Sequence, residues 1–374
     1  MNRFNKSILA TSMVMCSATV WAANKTPTLG DVLQASDITF SGYIDTSYSY
    51  LTGNGKFTNN GPLDRVYDAQ HNAFSLHTID LSASYLPASG FGGMTQLDYG
   101  TDAAVTSFGT GLPVSNGGSE VDVQQAYLQY ATGPLTVMAG KYDTLAGEEV
   151  IASPSDYNFT RGILFGYAIP FSHTGVRATY ALNSDYKLIA GVNNGWNVVT
   201  PSTTGVYGKT LELGFAATPL KPLSLNAVLY SGDAPGSTTG VAGRRDLLDL
   251  VGSYNATDAL TLALEADYGQ QADAVTVGSK AKWSGVAAYA NYNINSLWRV
   301  AGRLEYFNDQ DGLMTNTAQK WKEGTLTLAF MPTVQTELRG EVRYDKSNKS
   351  VFGMVNGTSK DNQSSIGVEG LYKF

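Results

Sequence analysis

The sequence predicts an all-β fold: a transmembrane antiparallel up-and-down β-barrel of about 16 strands, with short periplasmic turns and long extracellular loops. Three observations favour this fold. Apolar and polar side chains alternate along segments of about 10 residues. The links between these segments are alternately short and long, and aromatic residues recur at the segment ends.

Residues 1–23 have the pattern of a cleaved secretory signal peptide. Two basic residues, Arg3 and Lys6, precede an apolar run over residues 8–20, and small residues stand at positions 22 and 23. The run is too short to form a membrane-spanning helix, which needs roughly 20 apolar residues. We therefore expect this leader to direct export and then to be removed.

The rest of the chain shows no break in composition. We expect a short periplasmic arm over residues 24–36 and a single barrel over residues 37–374. The only cysteine, Cys16, lies in the predicted leader, so the mature fold should hold in an oxidising compartment without disulfides. With 25 basic and 32 acidic residues, the charge balance argues against nucleic acid as a partner.

The alternation assigns one face of each strand to lipid and the other face to the lumen. The clearest segment has Leu260, Leu262, Leu264, Ala266 and Tyr268 on one face, with Thr261, Glu265 and Asp267 on the other. The same rule places Leu211, Leu213, Phe215 and Ala217 on the lipid side. Because one face is apolar and the other carries charge, we expect the outside to meet lipid and the inside to meet water.

Aromatic residues on the lipid-facing parity mark the two membrane interfaces, where amphipathic rings are favoured. They include Tyr85, Tyr99, Tyr180 and Trp196. The last predicted strand ends on Phe374, with Tyr372 two residues earlier. This ending resembles the C-terminal signature by which outer-membrane barrels are recognised for assembly.

Charged residues on the lumenal parity predict a water-filled interior. A dry interior would impose large desolvation costs on so many ionisable groups, and a barrel of about 16 strands is wide enough to hold water. Arg299 and Arg303 share one strand, and Arg339 and Arg343 share the next strand but one. These four arginines predict one basic wall, while Arg177 faces the lumen from a distant strand.

The longest loop, residues 143–171, is the candidate constriction of the pore. It carries Glu148, Glu149 and Asp156 and leaves the barrel about half a circumference from the predicted wall. Folded inward, it would place acids opposite arginines, so that a transverse field orders permeating solutes. In the alternative, which can coexist with the first, the arginines pair along the wall with their lumenal neighbours Glu305, Glu337 and Glu341.

The sequence predicts no enzymatic chemistry, no metal site and no cofactor. No two histidines have the spacing of metal ligands. A membrane-embedded hydrolase would need a His and Ser pair on the lipid side, for which Ser75 and His77 are the nearest candidates. The main alternative to a channel is a structural or adhesive barrel, whose lumen is plugged and whose long polar loops bind a partner.

Four runs of the sequence resemble a single family. They are FSGYIDTSYSYL at 40–51, GKYDTLAGEEVIASPSDYNFTRGILFGYAIPFSHTGVRATY at 140–180, VNNGWN at 192–197 and KTLELGFAATP at 209–219. Together they resemble the OmpL-like β-barrel porin family over nearly the whole mature chain. The resemblance implies a channel for small hydrophilic solutes and ions in the outer membrane of a Gram-negative bacterium, and it carries no catalytic residues.

The expected surroundings follow from this resemblance. The outside of the barrel should contact outer-membrane lipid and lipopolysaccharide, and small hydrophilic solutes should pass through the inside. A homo-oligomer is common among general porins, by analogy only, and no residue here marks a subunit interface.

Overall fold

Sixteen antiparallel strands close into a barrel, which confirms the predicted fold class. The computed structural model describes residues 28, 30, 35–58, 63–107, 112–113, 120–201 and 208–374. The predicted leader lies outside these residues, as does most of the predicted arm. Thr39–Phe374 form one unit, distinct from the preceding residues. Within the described part of the chain, no helix is long and apolar enough to cross a membrane.

The barrel strands are joined by alternately shorter and longer links. They are β1 Thr39–Leu51, β2 Ala73–Tyr85, β3 Gly90–Gly100, β4 Glu120–Thr132, β5 Leu135–Asp143, β6 Ser172–Ala181, β7 Tyr186–Asn193, β8 Thr210–Leu220, β9 Leu223–Pro235, β10 Ala242–Asn255, β11 Leu260–Ala272, β12 Lys280–Asn293, β13 Trp298–Asp309, β14 Gln319–Phe330, β15 Thr336–Ser347 and β16 Asn362–Lys373. Each strand pairs with its neighbours along the chain, and β1 also pairs with β16. The sheet therefore has no free edge, as a lipid environment requires.

Shorter elements belong to the long loops. They are the strand Gly53–Phe57, the α-helix Ala103–Thr106, the strand Leu112–Pro113, the 3₁₀-helix Ser153–Ser155, the π-helix Leu164–Ala168, and the strands Phe352–Met354 and Ser359–Lys360. Three of these strands, from the first and last long loops, pair in a small separate sheet.

The two faces of the wall follow the predicted alternation. In β11, Leu264 is 66% exposed on the lipid side, whereas Glu265 and Asp267 are 3% and 4% exposed on the lumenal side. Ala217 departs from the prediction, because it is buried. Ala217 still pairs in register with Tyr186 of β7 and Leu225 of β9, and the shift in the pairing of β8 with β9 comes only after it, so its burial does not reflect a change of face.

Trp196 also departs from its predicted place on the lipid side. It follows the end of β7, and its ring lies edge-on to Trp283 with 6.0 Å between ring centroids. Trp283 is a fully buried side chain of β12. Trp196 therefore packs toward the interior rather than toward lipid.

An aromatic cluster inside the barrel was not evident from the sequence. Trp321 of β14 contacts Phe57 and Phe352, with ring centroids 5.5 and 5.6 Å apart. Tyr167, from the loop that precedes β6, packs against the same ring in a tilted arrangement, with 5.6 Å between ring centroids. Three long loops thus meet on lumenal aromatic residues and form an apolar core within the wall.

The seam between β1 and the chain end closes the barrel. Gly42 and Phe374 exchange two backbone hydrogen bonds, each of 3.0 Å. A Cβ atom at Gly42 would lie 2.2 Å from the carbonyl oxygen of Asp80 and 2.8 Å from the Phe374 ring. The seam therefore needs a glycine at this position, because only a residue without a side chain lets the Phe374 ring pack there.

We expect Gly42→Val to impair closure of the barrel, because the added side chain collides with backbone as well as with Phe374. The measurement is the heat-dependent migration of the protein in a denaturing gel, which distinguishes folded from unfolded barrel. Gly340→Val is the matched control, since no atom lies within 4 Å of the position of its Cβ. Equal folding of both variants would contradict the proposed role of the seam.

Candidate pore constriction

The loop between β5 and β6, residues 144–171, folds into the barrel; we call it the inner loop. Its first part binds β9, where Asn226 Nδ2 donates to Leu145 O at 2.6 Å. Further along, Glu148 N donates to Glu265 of β11 at 3.1 Å, and Ser153 Oγ donates to Glu369 of β16 at 2.7 Å. The inner loop therefore follows the lumenal wall from β9 to β16.

The four predicted wall arginines lie together on β13 and β15, and all four donate hydrogen bonds to backbone carbonyl oxygens of the inner loop. The longest set belongs to Arg339, which reaches Asp156 O at 2.7 Å, Asn158 O at 3.1 Å and Ser153 O at 3.2 Å. The others are Arg343 to Arg161 O at 2.6 Å, Arg303 to Thr160 O at 2.6 Å and Arg299 to Tyr157 O at 3.3 Å. The wall therefore holds the loop by its backbone.

The same arginines form ion pairs with acids of the wall. These pairs are Arg299 with Glu337 at 2.5 Å, Arg303 with Glu323 at 2.8 Å, Arg339 with Glu337 at 2.6 Å and with Glu369 at 3.0 Å, and Arg343 with Asp345 at 2.8 Å. Pairing along the wall and contact with the loop thus occur together.

Two of the predicted pairing partners serve mainly to hold the loop. Glu305 accepts from the backbone N–H groups of Ile163 and Leu164 at 2.6 and 3.0 Å, and its nearest arginine contact is 3.6 Å from Arg303. Glu341 accepts from the backbone N–H groups of Phe159 and Thr160. The alternation located these carboxylates but did not reveal their partners.

The acids of the inner loop do not face the arginines across an opening, which differs from the sequence-based expectation. Glu149 contacts Arg303 directly and also accepts from Gly162 N at 2.6 Å. Asp156 lies 2.7 Å from Arg161 within the loop itself. Glu149 lies close to Arg303 because the loop packs directly onto the wall. The sequence-based expectation had placed an opening between the loop acids and the wall arginines.

Glu148 is the third predicted loop acid, and its side chain is half-buried. Burial, together with the nearby carboxylates of Glu149 and Asp249, raises the pKa of Glu148 to about 7. Glu148 therefore changes charge near neutral pH.

Arg177 is part of a separate lumenal site. It binds Glu212 of β8 through two hydrogen bonds of 2.5 and 2.9 Å. Its guanidinium also lies over the ring of Tyr142, 4.2 Å from the centroid. Arg177 is therefore neutralised on β6, far from the arginine wall.

His77 lies in a polar constellation that the sequence did not predict. Its Nε2 is 2.7 Å from Ser47 Oγ, and its Nδ1 is 2.8 Å from Asp102 Oδ1. The side chain is buried and faces the interior, in contact with the ring of Phe159 from the inner loop. The lipid-facing pair of Ser75 and His77 that a membrane hydrolase would need is therefore not formed.

A closed antiparallel barrel with a long inward-folded loop defines the class of outer-membrane channels. The chain belongs to the family described as "Putative beta-barrel porin-2, OmpL-like", whose model matches residues 37–374. The protein is therefore an outer-membrane porin of a Gram-negative bacterium, which confirms the resemblance seen in the sequence.

Solved structures support the fold. The anion-selective porin from Comamonas acidovorans is similar with a TM-score of 0.65 and 14% identity, covering 90% of this chain and 99% of that chain. The outer membrane channel DcaP of Acinetobacter baumannii gives 0.63 and 15%, covering 90% and 97%. OmpT of Vibrio cholerae gives 0.60 and 12%, covering 90% and 97%. Among curated proteins, the sequence has no match.

We expect Glu149→Ala to loosen the inner loop, because Glu149 accepts from Gly162 N across the loop and also binds Arg303 of the wall. The cost should be about 3 kcal/mol, at the lower end for breaking a buried ion pair, since Arg303 keeps Glu323. Single-channel recording should then show larger current fluctuations. Glu148→Ala is the control, because it removes a neighbouring carboxylate and keeps the backbone bond to Glu265. Identical current noise in both variants would contradict this role.

Proposed function

We propose that this porin passes small hydrophilic solutes by passive diffusion and favours cations over anions. The supporting observation is the charge inside the barrel and its loops. Among the buried residues that the structure describes, twelve Asp and eight Glu stand against seven Arg and one Lys. An excess of fixed negative charge along a pore raises the local concentration of cations.

The arginine wall does not offset this excess. Each of its four guanidinium groups has at least one carboxylate partner within 3.0 Å. The inner loop also covers these arginines. Their positive charges are therefore balanced by the carboxylates and carbonyl groups that they bind. We therefore assign them to positioning of the loop rather than to attraction of anions.

Acids on β1, β2 and β3 are less well matched. Asp80 and Asp98 lie opposite each other on β2 and β3, and the nearest strand adds Asp45. One carboxylate oxygen of Asp45 and one of Asp98 have no hydrogen-bond partner. These acids lie on a part of the wall that the arginines do not share, and among the described residues none of the three forms an ion pair with an Arg or Lys side chain.

In this proposal the inner loop sets the width of the pore, and the predicted site residues hold it in place. The wall residues are Arg299, Arg303, Glu305, Glu337, Arg339, Glu341 and Arg343, and the loop residues are Glu148, Glu149 and Asp156. Passage requires no catalysis and no cofactor, since width and charge suffice to select solutes. The exposed apolar band and its tyrosines should contact outer-membrane lipid and lipopolysaccharide.

A second candidate function is a plugged barrel that acts through its outer loops. The aromatic cluster around Trp321 favours it, because three loops pack there inside the wall. The two functions differ in whether ions cross the folded protein, so a conductance measurement decides between them.

We predict ohmic conductance in planar bilayers and, across a potassium chloride gradient, a reversal potential whose sign shows potassium preference. The preference should weaken as the pH falls through about 7, because Glu148, whose pKa is raised to that value, takes up a proton and loses its charge. Chloride preference would contradict the proposed selectivity. Absence of conductance from folded protein would instead support the plugged barrel.

A further inference from the structure

Three carboxylates converge on one point of the lumenal wall. Asp249 of β10 and Asp267 of β11 lie opposite each other in the sheet. Glu265 precedes Asp267 by two residues and shares its face of β11. One oxygen from each of the three residues lies within 4.8 Å of the others. We call these residues the acidic cluster.

The acidic cluster is buried and largely without partners. Both oxygens of Asp249, both oxygens of Asp267 and Oε1 of Glu265 accept no hydrogen bond, although the residues are 0%, 4% and 3% exposed. The remaining oxygen, Glu265 Oε2, accepts from Tyr289 Oη at 2.9 Å and from Glu148 N at 3.1 Å. Unpaired carboxylates at such depth are costly, so their oxygens require a partner.

Several other buried acids of this barrel have a basic partner. Glu212 pairs with Arg177 at 2.5 Å, and Glu369 pairs with Arg339 at 3.0 Å. Among the described residues, no Arg, Lys or His forms an ion pair with any member of the acidic cluster. The missing positive charge therefore has to come from outside the chain.

We propose that the acidic cluster binds one divalent cation, and that calcium fits it best. Ca²⁺ takes about 6 to 8 oxygen ligands at about 2.3 to 2.6 Å, so ligand atoms on opposite sides of it lie up to about 5 Å apart. The cluster offers one oxygen from each of three carboxylates within 4.8 Å of one another, and five of its six carboxylate oxygens have no hydrogen-bond partner. Mg²⁺ is the poorer fit, because it keeps several of its waters and demands a tighter octahedron.

The cation would connect the wall to the inner loop. It bridges β10 and β11 directly. Glu265 in turn accepts a hydrogen bond from the backbone N–H of Glu148 at the start of the loop. The arginine wall holds the later part of the same loop through its carbonyl groups. Calcium therefore fixes the start of the inner loop at Glu148, as the arginines fix the segment from Ser153 to Arg161.

The test measures calcium bound to folded, detergent-solubilised protein after equilibrium dialysis, with terbium luminescence as a second readout. Tyr289 donates to a cluster carboxylate, so its ring lies close enough to sensitise bound Tb³⁺. We expect one Ca²⁺ per chain and a Tb³⁺ signal that calcium displaces. Both should be lost in Asp249→Asn/Asp267→Asn.

Asp246→Asn is the matched control. Asp246 is an acid on the same strand as Asp249, but it accepts from Arg244 and is not part of the cluster. This variant should bind calcium as the unaltered chain does. If the double variant does not fold, Glu265→Gln takes its place and should also lose the Tb³⁺ signal. Failure of the unaltered chain to bind Ca²⁺ would overturn the proposal and leave protons as the shared charge. The outcome is separate from ion preference, which the reversal potential measures.

Discussion

Hydrogen bonds from four arginines to the backbone of one loop determine the interior of this barrel. Arg299, Arg303, Arg339 and Arg343 each donate to carbonyl oxygens of the inner loop while paired with acids of the wall. Carbonyl groups of a loop buried in a lumen have no strand to pair with, so they need donors from elsewhere. A guanidinium group supplies five donors and can satisfy a carboxylate and several carbonyls together.

This interaction also explains how so many charges lie buried in one protein. A buried arginine without partners would be very costly, as would a buried carboxylate. On the wall, each group removes the cost of the other, and the loop uses the donors that remain. Glu305 and Glu341 play the complementary role: as negatively charged side chains of the wall, they accept hydrogen bonds from N–H groups of the loop. The acidic cluster on β10 and β11 lies outside this compensation.

The wall of the barrel could be predicted from the sequence, because a period of two fixes which side chains share a face. The same reasoning grouped the wall arginines, since residues on alternate strands lie near each other in a closed sheet. It failed at Trp196, which lies beyond the end of its strand.

Contacts of the inner loop could not be predicted, because they depend on a path through the lumen that no local pattern encodes. The expectation of acids opposite arginines used side chains alone, whereas on the inner loop the arginines bind mainly carbonyl groups, which every residue possesses. His77 shows the same limit. Its partners Ser47 and Asp102 come from another strand and from a loop, so sequence proximity to Ser75 was misleading.

The position of the inner loop is the central claim, and a crosslink tests it most directly. Asn158 of the loop donates to Thr327 of β14 at 2.6 Å between side-chain atoms, and the mature chain is expected to lack cysteine. A short bis-thiol reagent should therefore join Asn158→Cys to Thr327→Cys in the folded protein. Asn255→Cys with Thr261→Cys is the positive control, since the same two residue types bond there at 2.8 Å at exposed ends of β10 and β11. Peptide mass spectrometry should find both crosslinks, and reaction of the control pair alone would contradict an inner loop seated on the wall.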